Sequence, residues 1–253
     1  MAVLVENIRI DNIPALEVFQ NGSSNHLPMV VLVHGWGSRK EDMLFMAYSL
    51  AINGFFVVPI DVVGHGERMR EGAWTMDALF GLVHQTTEDI NRVIAHYEGD
   101  TRVDVQRVGL SGISMGGVVT YEYLTRDDKQ IRAAVPMIGT PDFTSLISED
   151  RADKIMSMLG LNLQNTMNII NPEMLRAMQP AQKMNQMDSV PLLMLNGVED
   201  PLIDIKSVRD FYQRIKPLYS QPENVQLVEY PGVGHYTPYP MQMEALRWFQ
   251  RYL

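Results

Sequence analysis

The sequence has no cysteine among its 253 residues. The absence of thiols excludes disulfide bonds, thiolate metal sites and a cysteine nucleophile. It is also compatible with a reducing compartment. No apolar run approaches the length that crosses a membrane. The stretch Met1–Asn7 lacks a basic segment and a long apolar run, so no secretory signal is expected. These absences together predict a cytoplasmic protein.

Positive charge is also scarce, since the chain has 21 Lys and Arg residues and 30 Asp and Glu residues. The formal net charge is therefore −9. This balance argues against nucleic acid or an anionic membrane as the main partner. The hydrophobic share of 46% is ordinary for a globular protein. The length suits one α/β domain over residues 1–253. The net charge says nothing about a small-molecule substrate, and the oligomeric state is left open.

Strand and helix patterns alternate along most of the chain, which predicts a mostly parallel eight-stranded sheet with helices on both faces. Continuous apolar runs such as Met29–Val33 are typical of strands buried on both sides. The predicted strands are Val3–Ile10, Ala15–Phe19, Met29–Val33, Phe55–Ile60, Val108–Leu110, Ala133–Ile138, Val190–Leu195 and Val225–Tyr230. The predicted helices are Glu41–Asn53, Thr75–Tyr97, Gly117–Leu124, Ile205–Lys216 and Pro240–Tyr252.

The region from about 142 to 188 interrupts this alternation, because no convincing strand pattern occurs in it. An insertion between two strands at this position predicts a small helical cap. Its methionines could face a substrate, since methionine surfaces adapt to varied apolar shapes. The favoured alternative is that they fill the core of the cap itself. They are Met156, Met158, Met167, Met174, Met178, Met184 and Met187.

The segment Gly112-Ile113-Ser114-Met115-Gly116 lies between a predicted strand and a predicted helix. A serine between two glycines in this context is typical of a nucleophile elbow, which lifts the hydroxyl to the carboxyl edge of the sheet. Gly112 and Gly116 then have a steric reason to lack side chains. We therefore predict that Ser114 is a nucleophile.

A serine nucleophile needs a base, and the base needs an orienting acid. Asp200 follows one predicted strand and His235 follows the last one. Parallel strands end on one side of a sheet, so both residues should lie near Ser114. Glu199 is an alternative acid, whereas Asp204 is better placed to cap the next helix. The other histidines are His26, His34, His65, His84 and His96.

An acyl-transfer serine also needs donors for the tetrahedral oxyanion. We expect them to be the backbone N–H groups of Met115 and Trp36, with Gly37 less favoured than Trp36. His34, at the start of the same loop, is expected to be structural. In the loop Asp61–Arg68, Glu67 and Arg68 could pair or orient a substrate, and structural support is favoured over chemistry.

With these motifs the chain resembles serine esterases of the α/β-hydrolase fold, in particular small bacterial enzymes similar to dienelactone hydrolase and the prolyl-oligopeptidase-like branch. The resemblance covers nearly the whole chain. It is carried by His34-Gly35-Trp36-Gly37, Asp61-x-x-Gly64-His65-Gly66, Gly112-x-Ser114-x-Gly116-Gly117, and the loops of Asp200 and His235. Two features differ: dienelactone hydrolase uses a cysteine nucleophile, and the peptidases carry a large N-terminal propeller.

The resemblance implies hydrolysis of a carboxylic ester, with a short to medium acyl chain suggested by the cap. The triad would be Ser114, Asp200 and His235, and neither a metal nor an organic cofactor is expected. An amidase or peptidase with the same triad remains an alternative. A catalytically silent hydrolase-like binding protein is the alternative from another class.

Overall fold

A single eight-stranded sheet organises this chain, whose computed structural model describes residues 2–23, 26–69, 76–147, 157 and 179–253. The strands are β1 Val3–Ile10, β2 Ile13–Gln20, β3 Leu27–Val33, β4 Phe56–Ile60, β5 Val103–Ile113, β6 Ala133–Met137, β7 Leu192–Gly197 and β8 Val225–Tyr230. The strand order is β1-β2-β4-β3-β5-β6-β7-β8. Strand β2 pairs with β1 and β4 in antiparallel fashion, and all the other pairs are parallel. The predicted mostly parallel sheet is confirmed.

Helices cover both faces of the sheet. The described helices are α1 Leu44–Ala51, α2 Met76–His96, α3 Met115–Leu124, α4 Ile205–Ile215 and α5 Tyr239–Tyr252. Successive side chains of a strand point to opposite faces of a sheet. In β3, Val31 and Val33 therefore belong to one apolar cluster with residues of α2, α3 and α4. Val30 and Leu32 belong to a second cluster with residues of α1 and α5.

Several boundaries differ from the sequence prediction. Strand β5 has 11 residues instead of the three predicted, because its first half carries polar side chains that hide the strand pattern. Strand β2 already begins at Ile13, so the turn is limited to Asp11 and Asn12, and Asp11 adopts a positive φ of 53°. Such a φ is typical of two-residue hairpin turns. The predicted helix Glu41–Asn53 is a short 3-10 helix, Lys40–Met43, followed by α1.

Most of the predicted cap lies outside the described residues, as do Thr75 and the methionines Met156, Met158, Met167, Met174 and Met178. At the end of this region Met187 is fully buried, and Met184 packs against the same apolar cluster. The cap and the single-domain division therefore stay predictions. Over the described part of the chain, no helix combines the length and apolar character needed to span a membrane.

Candidate active site

Ser114 is the one residue that separates strand β5 from helix α3. Its backbone has φ 56° and ψ −111°, a conformation that L-residues rarely adopt and that costs on the order of 1–3 kcal/mol. Two hydrogen bonds hold it there: the Ser114 N–H donates to Met137 O at 2.9 Å, and the Val118 N–H donates to Ser114 O at 3.0 Å. The predicted strand–serine–helix elbow is therefore present.

Gly112 and Gly116 make this turn sterically possible. A Cβ on Gly112 would lie 2.1 Å from Gly116 O, and a Cβ on Gly116 would lie 2.1 Å from Val33 O. Both obstacles are backbone atoms, which cannot rotate away as a side chain can. The predicted steric requirement for glycine at these two positions is confirmed.

Ser114, His235 and Asp200 form one hydrogen-bonded chain. Ser114 Oγ is 2.8 Å from His235 Nε2, and His235 Nδ1 is 2.8 Å from Asp200 Oδ2. An ionised carboxylate can only accept, so the proton of the neutral imidazole lies on Nδ1. Nε2 then accepts from the Ser114 hydroxyl. This arrangement can move the hydroxyl proton to the imidazole, and the three side chains come from loops at the carboxyl ends of β5, β7 and β8.

Asp200 has a second set of bonds that fixes its carboxylate. Its Oδ1 accepts the N–H groups of Leu202 at 2.8 Å and Ile203 at 3.0 Å, and its side chain is fully buried. Asp204, not Asp200, caps helix α4, because its side chain accepts the Lys206 N–H. The prediction that Asp204 is better placed than Asp200 to cap the next helix is confirmed.

Glu199, the alternative acid, directly precedes Asp200 in the sequence. It binds the loop that precedes His235. Its Oε2 accepts the Gly232 N–H at 2.5 Å, and its backbone N–H donates to Val233 O at 3.1 Å. Gly197, two residues before Glu199, permits this close approach, because a Cβ there would be 2.3 Å from Val233 O. Glu199 thus joins the β7 loop to the β8 loop.

The loop after β3 lies directly against Ser114. A Cβ built on Gly35 would be 3.5 Å from Ser114 Cβ and 3.3 Å from Ile113 O. Met115 is the first residue of α3, where the N–H groups have no carbonyl partner one turn earlier. The Trp36 ring packs edge-on against His65, with ring centroids 5.0 Å apart. The two amides predicted as oxyanion donors therefore belong to segments that border the Ser114 side chain.

His34 is buried at the start of this loop in a structural role, as expected. Its Nε2 accepts the Val62 N–H at 3.1 Å and its Nδ1–H donates to Gly35 O at 2.7 Å. Burial lowers its pKa to about 4, so the ring is neutral at pH 7. Among the other histidines, His84 pairs with Glu122 at 2.8 Å and the His96 ring packs on Tyr97.

Glu67 and Arg68 do not pair with each other. Glu67 binds Lys40 at 2.6 Å and Arg9 at 2.7 Å, whereas Arg68 binds Asp89 at 2.5 Å. Sequence reasoning missed Lys40, whose side chain is 1% exposed. Its neighbour Glu41 also binds it at 2.8 Å, but the two carboxylates that lie over it from the loop after β4, Asp61 and Glu67, are distant in sequence.

In the described ranges, no group of three or more histidine, aspartate or glutamate side chains could hold a metal ion.

Comparison with known proteins gives a family match and full-length relatives. Residues 42–253 match the prolyl oligopeptidase family. The chain is similar to a Bacillus subtilis (strain 168) protein named "Putative esterase YitV", at 32% identity over 99% of this chain and 100% of that protein. Its fold is similar to TT1662 from Thermus thermophilus, with a TM-score of 0.79 and 19% identity over 99% of this chain and 98% of that one.

A longer protein also contains this fold. The acylaminoacyl peptidase of Pyrococcus horikoshii aligns with a TM-score of 0.75 at 18% identity, over 100% of this chain but 42% of the peptidase. At this identity the likeness concerns the fold alone. Because the family match covers most of the sequence and the sheet, elbow and loop order agree with it, the chain belongs to the prolyl oligopeptidase family of α/β-hydrolases.

Proposed function

We propose that this chain is a serine esterase that cleaves carboxylic esters of small molecules through a covalent acyl-enzyme. The observation that carries the proposal is the hydrogen-bonded chain from Ser114 Oγ through His235 to Asp200, with 2.8 Å at each step. The similarity to a relative named as an esterase supports the ester as substrate. The chemistry uses side chains and backbone amides of the chain itself.

In the acylation step Ser114 Oγ attacks the ester carbonyl while its proton passes to His235 Nε2. Asp200 keeps the second proton on Nδ1 and stabilises the imidazolium that forms. The carbonyl oxygen becomes an oxyanion, which the amides of Trp36 and Met115 stabilise by hydrogen bonds. Collapse of the tetrahedral intermediate breaks the bond between the acyl carbon and the alkoxy oxygen of the ester. The imidazolium gives its proton to this oxygen, and the alcohol departs.

In the deacylation step His235, neutral again, takes a proton from water as the water oxygen attacks the acyl carbon. The same two amides stabilise the second oxyanion. Breaking the bond to Ser114 Oγ releases the carboxylic acid, and the imidazolium returns a proton to Ser114. Each half-reaction thus ends with a neutral imidazole, and deacylation restores its hydrogen bond with the Ser114 hydroxyl.

The proposal is tested with Ser114→Ala on a series of p-nitrophenyl esters of increasing acyl length. We expect kcat to fall by roughly 10⁴-fold or more, because the variant has no nucleophile. Ser49→Ala, which removes a surface hydroxyl on α1, should keep wild-type activity. An S114A variant that retained its esterase activity would refute the proposal. The series also tests the predicted short to medium chain preference, which a maximum at long lipid esters would contradict.

An amidase or peptidase remains the second candidate. It is favoured by the match to a family named for a peptidase and by the shared fold with an acylaminoacyl peptidase. A p-nitrophenyl ester and a p-nitroanilide with the same acyl group separate the two activities. A higher kcat/KM on the anilide would favour the amidase. A folded wild-type protein that fails to react with a fluorophosphonate would support the non-catalytic alternative.

The absence of nucleic acid and membrane partners and a cytoplasmic location remain predictions from charge and composition. They do not enter the proposed chemistry.

A further inference from the structure

The segment 34–40 carries Trp36, and the loop after β4, residues 61–67, attaches to it at three points. Trp36 lies in a turn between strand β3 and the 3-10 helix at Lys40. A backbone donor outside regular structure stays in position only if other groups hold it. The attachments therefore decide how well such a donor is preorganised.

The first attachment is at the start of the segment. The Val62 N–H donates to His34 Nε2, and the imidazole in turn donates to Gly35 O. The second is in the middle, where the rings of Trp36 and His65 pack at an interplanar angle of 75°. Both partners, Val62 and His65, belong to the loop after β4.

The third attachment is at the end of the segment, and it is ionic. Asp61 Oδ1 accepts the Lys40 N–H at 2.8 Å, and Asp61 Oδ2 accepts the Glu67 N–H at 2.9 Å. Lys40 Nζ lies 3.5 Å from Asp61 Oδ2 and 2.6 Å from Glu67 Oε1. Burial lowers the pKa of Lys40, but its hydrogen bonds to Glu41 and Glu67 outweigh this and hold the pKa above its usual value.

The carboxylate of Asp61 is thus the central acceptor of this attachment. It is fully buried, and a Cβ on Gly66 would lie 2.3 Å from it, so the loop closes tightly around the charge. A buried carboxylate that accepts several N–H groups fixes their relative positions, and removal of its charge would leave Lys40 without a fully buried counter-ion.

We propose that Asp61 is a positioning residue for the oxyanion hole, because its carboxylate holds the end of the segment that carries the Trp36 amide. This inference rests on the proposed serine esterase mechanism. Asp61 does not touch the reacting atoms in this scheme. It acts through Lys40 and the 34–40 segment on a donor that is needed only when the carbonyl becomes an oxyanion.

The test compares Asp61→Asn with wild type in kcat, in KM and in the Ki of a trifluoromethyl ketone. Such a ketone forms a tetrahedral adduct with a serine, and its oxygen occupies the position of the oxyanion. Loss of one oxyanion donor costs about 10²–10³ in kcat. A misplaced donor should cost less, so we expect a fall in kcat of roughly 10–100-fold with KM within about twofold. The Ki should rise in parallel with the loss in kcat/KM.

The matched control is Glu17→Gln, because Glu17 is also a buried carboxylate and accepts hydrogen bonds from Tyr97 and Arg102. Its hydrogen-bond partners lie outside the segment 34–40 and outside the loop 61–67, so the control should lose stability but keep kcat and Ki. Rates are normalised to the concentration of folded protein whose active sites can be titrated. An Asp61→Asn variant with unchanged kcat, or with an unchanged Ki despite lower kcat, would overturn the inference.

If Asp61→Asn does not fold, Glu67→Gln tests the same attachment at a half-exposed position. This change neutralises a partner of Lys40, and we expect a fall in kcat of about two- to fivefold with a parallel rise in Ki. Wild-type kcat and Ki in this variant would count against the inference. Failure of the esterase mechanism is recognised separately, by wild-type protein that neither hydrolyses the esters nor reacts with a fluorophosphonate at Ser114.

Discussion

At the scale of single residues, the strained backbone of Ser114 depends on glycines that cannot be replaced. A Cβ added to Gly112 or to Gly116 would lie 2.1 Å from a backbone oxygen. The chain could accommodate a methyl group there only by moving β3, β5 or α3. The geometry that lifts the serine hydroxyl toward His235 is therefore set by the absence of side chains on its neighbours.

Gly112→Ala should therefore destabilise the protein by about 3 kcal/mol or more, because the site has no free space for an added methyl group. The matched control is Gly81→Ala in the exposed part of α2, where an added Cβ meets nothing within 4 Å. That change should stabilise the protein by about 0.5–1 kcal/mol, because alanine has the higher helix propensity. Urea unfolding of both variants gives the comparison, and equal stabilities would contradict the steric account.

At the scale of elements, two aspartates four residues apart have different tasks in the β7–α4 connection. Asp204 accepts the Lys206 N–H at the start of α4. Asp200 accepts the amides of Leu202 and Ile203 and turns its other oxygen to His235. One side chain stabilises the helix, and the other holds the imidazole of His235.

We expect Asp204→Ala to lower the free energy of unfolding by about 1 kcal/mol, the usual effect of a lost N-cap, and to leave kcat near that of wild type. Asp200→Asn should lower kcat by roughly 10⁴-fold, because an amide favours the wrong tautomer of His235. Thermal unfolding and ester hydrolysis measured on both proteins separate the two effects. The assignment is wrong if Asp204→Ala causes the larger loss of activity.

At the scale of the whole molecule, burial of a neutral histidine makes stability depend on pH. His34 is fully buried, and desolvation lowers its pKa from the usual 6.5 to about 4. Its hydrogen bond to Gly35 O raises the pKa, nearby His65 lowers it, and Asp61 and Asp42 raise it. Burial dominates, so the folded state binds this proton less readily than the unfolded chain does.

The contribution of His34 to stability is therefore complete above pH 6.5 and is lost as the pH falls toward 4. The free energy of unfolding should decrease over this window by on the order of 3 kcal/mol from this group. Urea unfolding between pH 7 and 4 measures the slope, and His34→Gln serves as control because glutamine does not titrate. Identical slopes in the two proteins would mean that His34 is not the group responsible. His65, whose pKa burial also lowers, adds a slope of the same sign to both.

Much of the fold could be predicted because hydrophobic patterning is local. The apolar runs of β3, β4 and β7 and the final strand Val225–Tyr230 are recognisable from a few neighbouring residues. The start of β5 differs from the prediction because its ladder with β3 is interrupted: Asp104 pairs with Pro28, and the next pair is Val108 with Met29. Pro14 lies before the predicted strand Ala15–Phe19, yet it pairs with Arg9 inside the β1–β2 hairpin.

The sequence by itself determined the chemistry that is available: one elbow serine, a histidine and an aspartate, each after a parallel strand, with no thiol. Residue type and position relative to a strand are local properties, so they can be read without coordinates. Only the tertiary structure decided which charges lie around the 34–40 segment. Lys40 meets Asp61 and Glu67 because β3 and β4 are neighbours in the sheet, and strand adjacency brings together residues that are 21 and 27 positions apart.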